Sequence, residues 1–287
     1  MPAPASSTEP AFSTVAVVGV GLIGGSIGAA LKSRGVARTV VGVGRNRERL
    51  EAAQRAGMID RVATDGAQIA DAELVVVCTP VDRIAADVLA LASQVRPGTL
   101  FTDAGSVKGA ICAALHGRLP EGTAFIGSHP LAGSEKAGFE HADADLFAGK
   151  VCIVTPDDAT RPDALSRVHD FWQRLGMRVV DMSPARHDTV LALTSHLPHA
   201  VAAALASLLD APEAEFAATG FRDTTRIAAG DAELWAAIFS ANREPLVEQL
   251  DRFQQRLSEL RTAIAANNRD RIIELLKEAK HRRDRLS

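Results

Sequence analysis

Two histidine-bearing segments and a pair of arginines hold most of the chemistry this sequence could perform. His129 lies in Gly127-Ser128-His129-Pro130-Leu131-Ala132-Gly133-Ser134-Glu135-Lys136-Ala137-Gly138, a run of turn formers and polar groups directly after an apolar stretch. An imidazole that titrates near neutrality is suited to removing a hydroxyl proton, so His129 is a candidate general base. A structural loop histidine is the alternative. His196 and His199 stand three apart in Thr194-Ser195-His196-Leu197-Pro198-His199, inside an oily helical stretch, and so share a face. Pro198 cannot donate to the carbonyl of Thr194, and a kink is expected there. Polar groups at a kink in an apolar helix mark a site. A metal is the weaker reading, because no spaced acid or third histidine completes the pair locally. Arg222 and Arg226, within Phe221–Ile227, are one helical turn apart and able to hold carboxylates. Asp223 could instead neutralise Arg226 in a structural ion pair. Trp235 reads as core or pocket wall.

A second constellation addresses phosphates. Val15-Ala16-Val17-Val18 runs into Gly19-Val20-Gly21-Leu22-Ile23-Gly24 and then into a helical pattern with Ile27, Ala30 and Leu31. Gly19 permits a tight turn, Gly21 lets the backbone approach a pyrophosphate, and Gly24 lets helix and strand pack closely. The helix-terminal N–H groups, opening at Leu22 and Ile23, would hold the phosphates. The next strand runs Val40-Val41-Gly42-Val43-Gly44 into Arg45-Asn46-Arg47-Glu48-Arg49, with no Asp or Glu between Ser33 and Arg47. An acid at that strand end would bond the adenine ribose 2′-hydroxyl of NAD. Arginines opening a helix oppose its dipole, a penalty that a bound 2′-phosphate would remove, so Arg45 and Asn46 point to NADP, with NAD less favoured. A solvated surface helix balanced by Glu48 and Glu51 is the alternative. Thr79 and Pro80, and Asp103 to Lys108, follow later strands, on the side where ligands of such sheets sit.

These residues need a scaffold, and the apolar rhythm supplies one. From Thr14 to about Met182, strand-like runs at 15–18, 39–43, 74–78, 100–102, 124–126, 151–154 and 178–180 alternate with helical stretches at 24–33, 47–55, 83–93 and 163–175. That alternation predicts an α/β fold, a Rossmann-type, mostly parallel sheet. After Pro184 the pattern is helical: 185–209, 234–240, 244–267 and 270–285. The expected organisation is a flexible tail over 1–13, a dinucleotide-binding domain over 14–183 and an all-α domain over 184–287. In the last helix Ile272, Ile273, Leu275 and Leu276 form a stripe opposite Lys277, Lys280 and Arg283. Such a stripe needs a partner surface, which predicts a homodimer through the helical domain.

Composition narrows the class. The chain has 287 residues, 47% hydrophobic and 23% charged, with Lys+Arg 32 against Asp+Glu 35, a formal charge of −3. That is ordinary globular composition, and no basic face is available for nucleic acid. Three widely spaced cysteines make neither a disulfide framework nor a zinc pattern, so a reducing cytoplasm is expected. The N-terminus lacks the basic and apolar regions of a signal peptide, and no uninterrupted apolar run reaches the ~20 residues of a membrane helix.

The segments GVGLIGGS, CTPVD, TDAGSVKG, GSHPLAGSEKAG, TSHLPH and FRDTTRIA, in order from Val15 to about Ala229, resemble the prephenate/arogenate (cyclohexadienyl) dehydrogenase family of tyrosine biosynthesis. The resemblance implies a nucleotide-binding domain joined to a helical dimerisation domain. It also implies oxidation of prephenate or arogenate at ring C4, with hydride passing to the nicotinamide and the ring carboxylate leaving as carbon dioxide. By the same resemblance His129 matches the catalytic histidine and Ser106 the serine that orients it beside the nicotinamide. Arg226 matches the arginine that binds substrate carboxylate, and Arg222 stands where the family often has Lys or Arg. His199 matches a second active-site histidine, Glu135 a gating or positioning acid, and Ser134 and His196 fall in the same substrate-binding segments. The sequence departs from NAD-using members at Gly44-Arg45, and with the chain ending at Ser287 no regulatory domain is expected. Two rival readings are a β-hydroxyacid dehydrogenase or imine reductase, which would want a lysine such as Lys277 or Lys280, and a non-catalytic NADP-sensing dimer.

Overall fold

In the computed structural model, which describes residues 9–133 and 136–286, the first two-thirds of the chain forms one eight-stranded sheet. Its strands are β1 (Phe12–Val18), β2 (Ala37–Val43), β3 (Arg61–Ala63), β4 (Leu74–Val77), β5 (Leu100–Asp103), β6 (Ala124–Pro130), β7 (Val151–Thr155) and β8 (Arg178–Asp181). The order is β3-β2-β1-β4-β5-β6-β7-β8. Neighbours from β3 to β6 run parallel, β6 and β7 pair antiparallel, and β7 and β8 are parallel again. The first six strands have the doubly wound dinucleotide-binding order, with its switch point between β1 and β4.

The helices of this region are α1 (Leu22–Ser33), α2 (Arg47–Arg55), α3 (Ile84–Ala92), α4 (Gly109–Leu115) and α5 (Pro162–Arg174). Both faces of the sheet are apolar because both are covered. Val15, Val17, Val40, Leu74 and Val76 join Ile27, Leu31, Phe171 and Trp172 in one buried cluster, and Ala16, Val41, Val75 and Phe101 join Ile84, Val88 and Ile111 in another. This is why the central strands read as unbroken β-branched runs.

Strand β1 begins at Phe12, inside the segment expected to be tail, because its ring is buried and stacks edge-on against Phe171 at 6.1 Å between centroids. Three residues make β3, too few to carry a periodic signal, and it was not foreseen. The helical part then follows as α6 (Pro184–Leu191), α7 (Leu197–Ala206), α8 (Thr219–Thr225), α9 (Ala232–Ala241), α10 (Arg243–Ala265) and α11 (Arg269–Asp284). The expected single helix over 185–209 is corrected: α6 and α7 are joined by a π-helical turn, Ala192–His196, which lies before Pro198. Pro198 itself takes an early position in α7, where its missing N–H costs nothing. The run Pro184–Ala206 is also long and apolar enough to cross a membrane by length and composition, contrary to the sequence expectation. It carries buried His187, Asp188, His196 and His199, however, each placed against protein groups.

By compactness the chain divides at 242/243. In the first unit Ile238, Trp235 and Phe239 of α9 pack with Val81 and Val107, from the turns that follow β4 and β5. The helical segments up to Asn242 thus share a core with the sheet. The second unit is the antiparallel pair α10 and α11, where Arg271 reaches Glu274 at 2.7 Å and Glu259 at 3.8 Å.

Candidate active site

The turn after β1 is built around two glycines. Gly19 has φ +88°, and a Cβ there would meet the Cys78 carbonyl at 3.0 Å. Its N–H donates to Val43 O at 2.9 Å, which ties the turn to the end of β2. A Cβ on Gly24 would overlap the Gly19 carbonyl, so this glycine sets strand–helix contact instead of touching a ligand. Gly21 differs: a Cβ there would meet nothing within 4 Å. Its backbone faces the open side, and α1 starts beside it with no side-chain cap and no acid in its first turn. The first N–H groups of α1 are therefore available to an anion. A cavity of about 960 Å³ opens here, lined by Gly19, Gly21, Arg45, Asn46, Thr79 and Pro80 among others. The residues fit a dinucleotide.

On the adenosine side no acid follows β2. Asn46 is the N-cap of α2, its Oδ1 accepting from Arg49 N at 3.0 Å. Arg47 pairs with Glu51 at 2.8 Å and Arg83 with Asp87 at 3.4 Å. Among the described residues, neither Arg45 nor Arg49 has an acid within ion-pair distance, although both line the cavity. The balancing by Glu48 and Glu51 that the alternative reading requires reaches only Arg47.

The candidate catalytic side is set by the ends of β5 and β6. Fully buried Asp103 ends β5. It accepts from Ser128 N at 3.0 Å and Gly105 N at 2.9 Å, and it pairs with the equally buried Lys108. Lys108 also donates to the Ser128 carbonyl at 2.9 Å, and Trp172 Nε1 donates to Ser128 Oγ at 3.0 Å. A buried ion pair whose remaining valences are met by backbone is a rigid mount, and it fixes the residue before His129. Ser106 lies half-buried on the turn just past β5, next to β6 in the sheet.

His129 is half-buried near the end of β6. Its Nδ1 is 2.9 Å from His187 Nε2, and His187 Nδ1 is 2.8 Å from Asp188 Oδ1. Asp188 also accepts the N–H groups of Lys108 and Gly109, both at 2.8 Å. Burial would raise Asp188, but these hydrogen bonds more than offset it and hold the carboxyl below its usual range. Burial pushes His129 well below the ordinary histidine value, helped by His187, Lys108 and His196 nearby. His187 is likewise lowered by burial. Both imidazoles are neutral at rest.

His196 and His199 come together as expected. His199 stacks on Trp235, centroids 3.5 Å apart and planes 15° from parallel, and Trp235 also packs on the cluster of Val81, Val107 and Ile238. Gly230 allows this stack to close, since a Cβ there would sit 2.6 Å from Trp235 Nε1. His196 Nδ1 is 3.0 Å from Asn242 Nδ2, which also donates to Asp188 O at 2.9 Å. Burial lowers His196 to about 4 and lowers His199 as well. Among the described residues His196 Nε2, His199 Nδ1 and Asn242 Oδ1 are buried without a protein partner. Unmatched buried polar atoms cost roughly 1–3 kcal/mol each, so their clustering points to a ligand.

The arginines depart from the simple picture. Helix α8 ends at Thr225 and Arg226 opens a 3₁₀ turn, so the two do not share one regular helix face. Arg222 Nε donates to Ala217 O at 3.0 Å and is partly committed to backbone. Arg226 is exposed on a segment packed against α7, the helix of His199. Ser134 and Glu135 lie outside the described residues. Sequence reasoning gave no role to His187, Asp188 or Asn242; Asp103 and Lys108 stood in a quoted motif without one. The adjacent His-Asp pair just inside the Pro184 helix was the available signal.

Two family models match the chain: Prephenate dehydrogenase, nucleotide-binding domain, over 27–181, and Prephenate dehydrogenase, dimerization domain, over 183–278. The chain belongs to the prephenate dehydrogenase family. A cyclohexadienyl dehydrogenase from Zymomonas mobilis is 36% identical over 281 residues, 95% of each chain. The crystal structure of the A. aeolicus prephenate dehydrogenase with hydroxyphenyl propionate and NAD+ superposes with TM-score 0.90 at 34% identity, covering 96% of this chain and 98% of that one. The Synechocystis arogenate dehydrogenase gives 0.81 at 30%, covering 96% and 100%. Family membership makes the chain an oxidoreductase of tyrosine biosynthesis that uses a nicotinamide dinucleotide. The lysine that a β-hydroxyacid dehydrogenase reading would need is not built: Lys277 and Lys280 are exposed on α11, and Lys280 pairs with Asp284 at 2.5 Å.

Proposed function

We propose that the chain oxidatively decarboxylates prephenate, arogenate or both, with NADP preferred over NAD, as a cytoplasmic homodimer, and that His129 is the base. The observation that carries this reading is the state of His129. Its Nδ1 faces His187 Nε2, His187 Nδ1 is turned to the Asp188 carboxylate, which accepts, and the His129 ring is held neutral, so Nε2 is the nitrogen with a lone pair for a substrate hydroxyl. When bound, the nicotinamide supplies the hydride acceptor. The residues of the chain do the rest. Ser106, on the turn beside β6, orients His129 and the substrate hydroxyl. Arg226, with Arg222, takes a substrate carboxylate. His196, His199, Ser134 and Glu135 complete the substrate pocket, and the unmatched nitrogens of the two histidines support that assignment. Gly19, Gly21, Leu22, Ile23, Thr79 and Pro80 cradle the dinucleotide, with Gly24 shaping the turn. Arg45, lacking an acidic partner among the described residues, and Asn46 at the α2 cap face the 2′-phosphate.

Proton removal and hydride loss reinforce one another, because electron density released onto the C4 oxygen stabilises the carbon that loses hydride. Measuring reduced-nucleotide formation with each substrate against each cofactor tests the proposal. NADP-dependent oxidation of at least one substrate is expected. A clear preference for NAD would overturn the cofactor assignment, and no turnover of either substrate would overturn the reaction.

A further inference from the structure

We propose that His187 and Asp188 form a proton relay behind His129, with His187 holding the proton charge while the substrate ring is rearranged. The inference rests on the reading of His129 as base.

Three observations fix its direction. Asp188 accepts two backbone N–H groups and therefore has only acceptor capacity to offer His187, so His187 Nδ1 carries hydrogen. Neutral His187 then has a bare Nε2, and this nitrogen lies 2.9 Å from His129 Nδ1. His129 Nδ1 must donate there, which leaves its own Nε2 bare. Buried carboxylate, imidazole and imidazole thus form a chain with a single consistent set of hydrogens, in the manner of an acid that sets the tautomer of a catalytic histidine.

The surroundings favour charge at the far end. His129 is faced by Lys108 from the α4 turn, His196 from the π turn and His187 from α6, all of which oppose a cation. His187 is faced by Lys108 as well, but also by the carboxylates of Asp188 and, from β5, Asp103. The proton steps balance. The substrate O–H bond breaks, its electron pair becomes the C4–O π bond as the C4–H bond breaks and its pair departs as hydride to the dinucleotide, and the proton joins His129 Nε2. The His129 Nδ1–H bond breaks in turn and that proton joins His187 Nε2, so His129 is neutral again and His187 is a cation against Asp188. When the ring carboxylate leaves as carbon dioxide, its bonding pair enters the ring and the C4 oxygen becomes a phenolate. That oxygen takes the proton from His129 Nε2, and His187 returns its own to His129 Nδ1. No net proton is consumed or released, and the only co-reactant is the dinucleotide of the family's activity.

The test is the proton inventory of kcat in mixtures of light and heavy water, for the whole chain and for His187→Gln and His129→Asn. Glutamine can still accept from His129 but cannot take up a proton. The wild type is expected to give a curved inventory, from two protons in flight. His187→Gln should give a straight one, with kcat at least about ten-fold lower and KM within about two-fold. A variant with wild-type kcat and curvature would overturn the relay alone, while undiminished turnover in His129→Asn would overturn the base itself. If His187→Gln does not fold, ¹⁵N-histidine spectra of the wild type decide: both His129 and His187 are expected as neutral Nδ1–H tautomers, and hydrogen on His187 Nε2 at neutral pH would contradict the relay.

Discussion

Two residues proposed to act in recognition by charge alone each give a separable outcome. Arg226→Ala removes a cation proposed to meet a substrate carboxylate. A loss of about 2 kcal/mol, the low end for truncating one partner of a desolvated charge pair, would raise KM for the carboxylate substrate roughly 30-fold and leave cofactor affinity intact. Steady-state kinetics check this, and an unchanged KM would remove Arg226 from the site. Arg45→Ala should weaken NADP by about ten-fold, the scale of one charged hydrogen bond, and leave NAD nearly unaffected. Fluorescence titration with each reduced nucleotide reads the difference. The residues proposed to touch ligands stand out in the sequence, because His129, His199 and Gly21 lie in segments of unusual local composition. Those behind them were not. Asp188 and Asn242 look like ordinary helix residues, and their partners, at |i−j| of 80 and 46, are brought close only by the fold.

Element by element, periodicity explains most of what was foreseen and most of what was not. Strands such as β1 and β4 are buried on both faces, so continuous Val runs mark them. The π turn at Ala192–His196 left no such mark, since it changes helical phase without changing apolarity. Pro198 drew attention to the right place for a different reason: as an early residue of α7 it fits the helix start and breaks nothing. The β1–α1 turn carries a direct prediction. In Gly24→Ala the new methyl would overlap the Gly19 carbonyl. Overpacking of this kind costs about 1–3 kcal/mol, so the melting temperature should fall and cofactor affinity with it. Gly21→Ala has space for its methyl in the apo chain, so it should keep the melting temperature and lose only affinity. A calorimetric scan beside a cofactor titration distinguishes the two variants.

For the whole molecule, neutral histidines that are buried or half-buried set the response to acid. His129, His187, His196 and His199 all have folded-state values below the ordinary 6.5. Below that pH the unfolded chain binds more protons than the folded one, so stability falls as pH falls, from about 6.5 down towards the lowered values, near 4 for His196. The slope is at most about 1.4 kcal/mol per pH unit for each histidine. Urea unfolding at pH 7.5, 6.0 and 5.0 should show a progressively lower midpoint, and a flat series would contradict the burial of these rings. At the same scale Leu257, Ile264 and Leu276 of the α10–α11 pair are 54%, 58% and 57% exposed in the single chain. A second copy is the expected cover, and Ile264→Asp with Leu276→Asp should shift sedimentation from dimer towards monomer.

The most direct measurement is turnover of His129→Asn with saturating NADP and prephenate or arogenate, whichever the wild type oxidises. The account predicts at least a ~10²-fold fall in kcat, the scale of lost general-base catalysis, with NADP affinity unchanged. Wild-type turnover by this variant would contradict it.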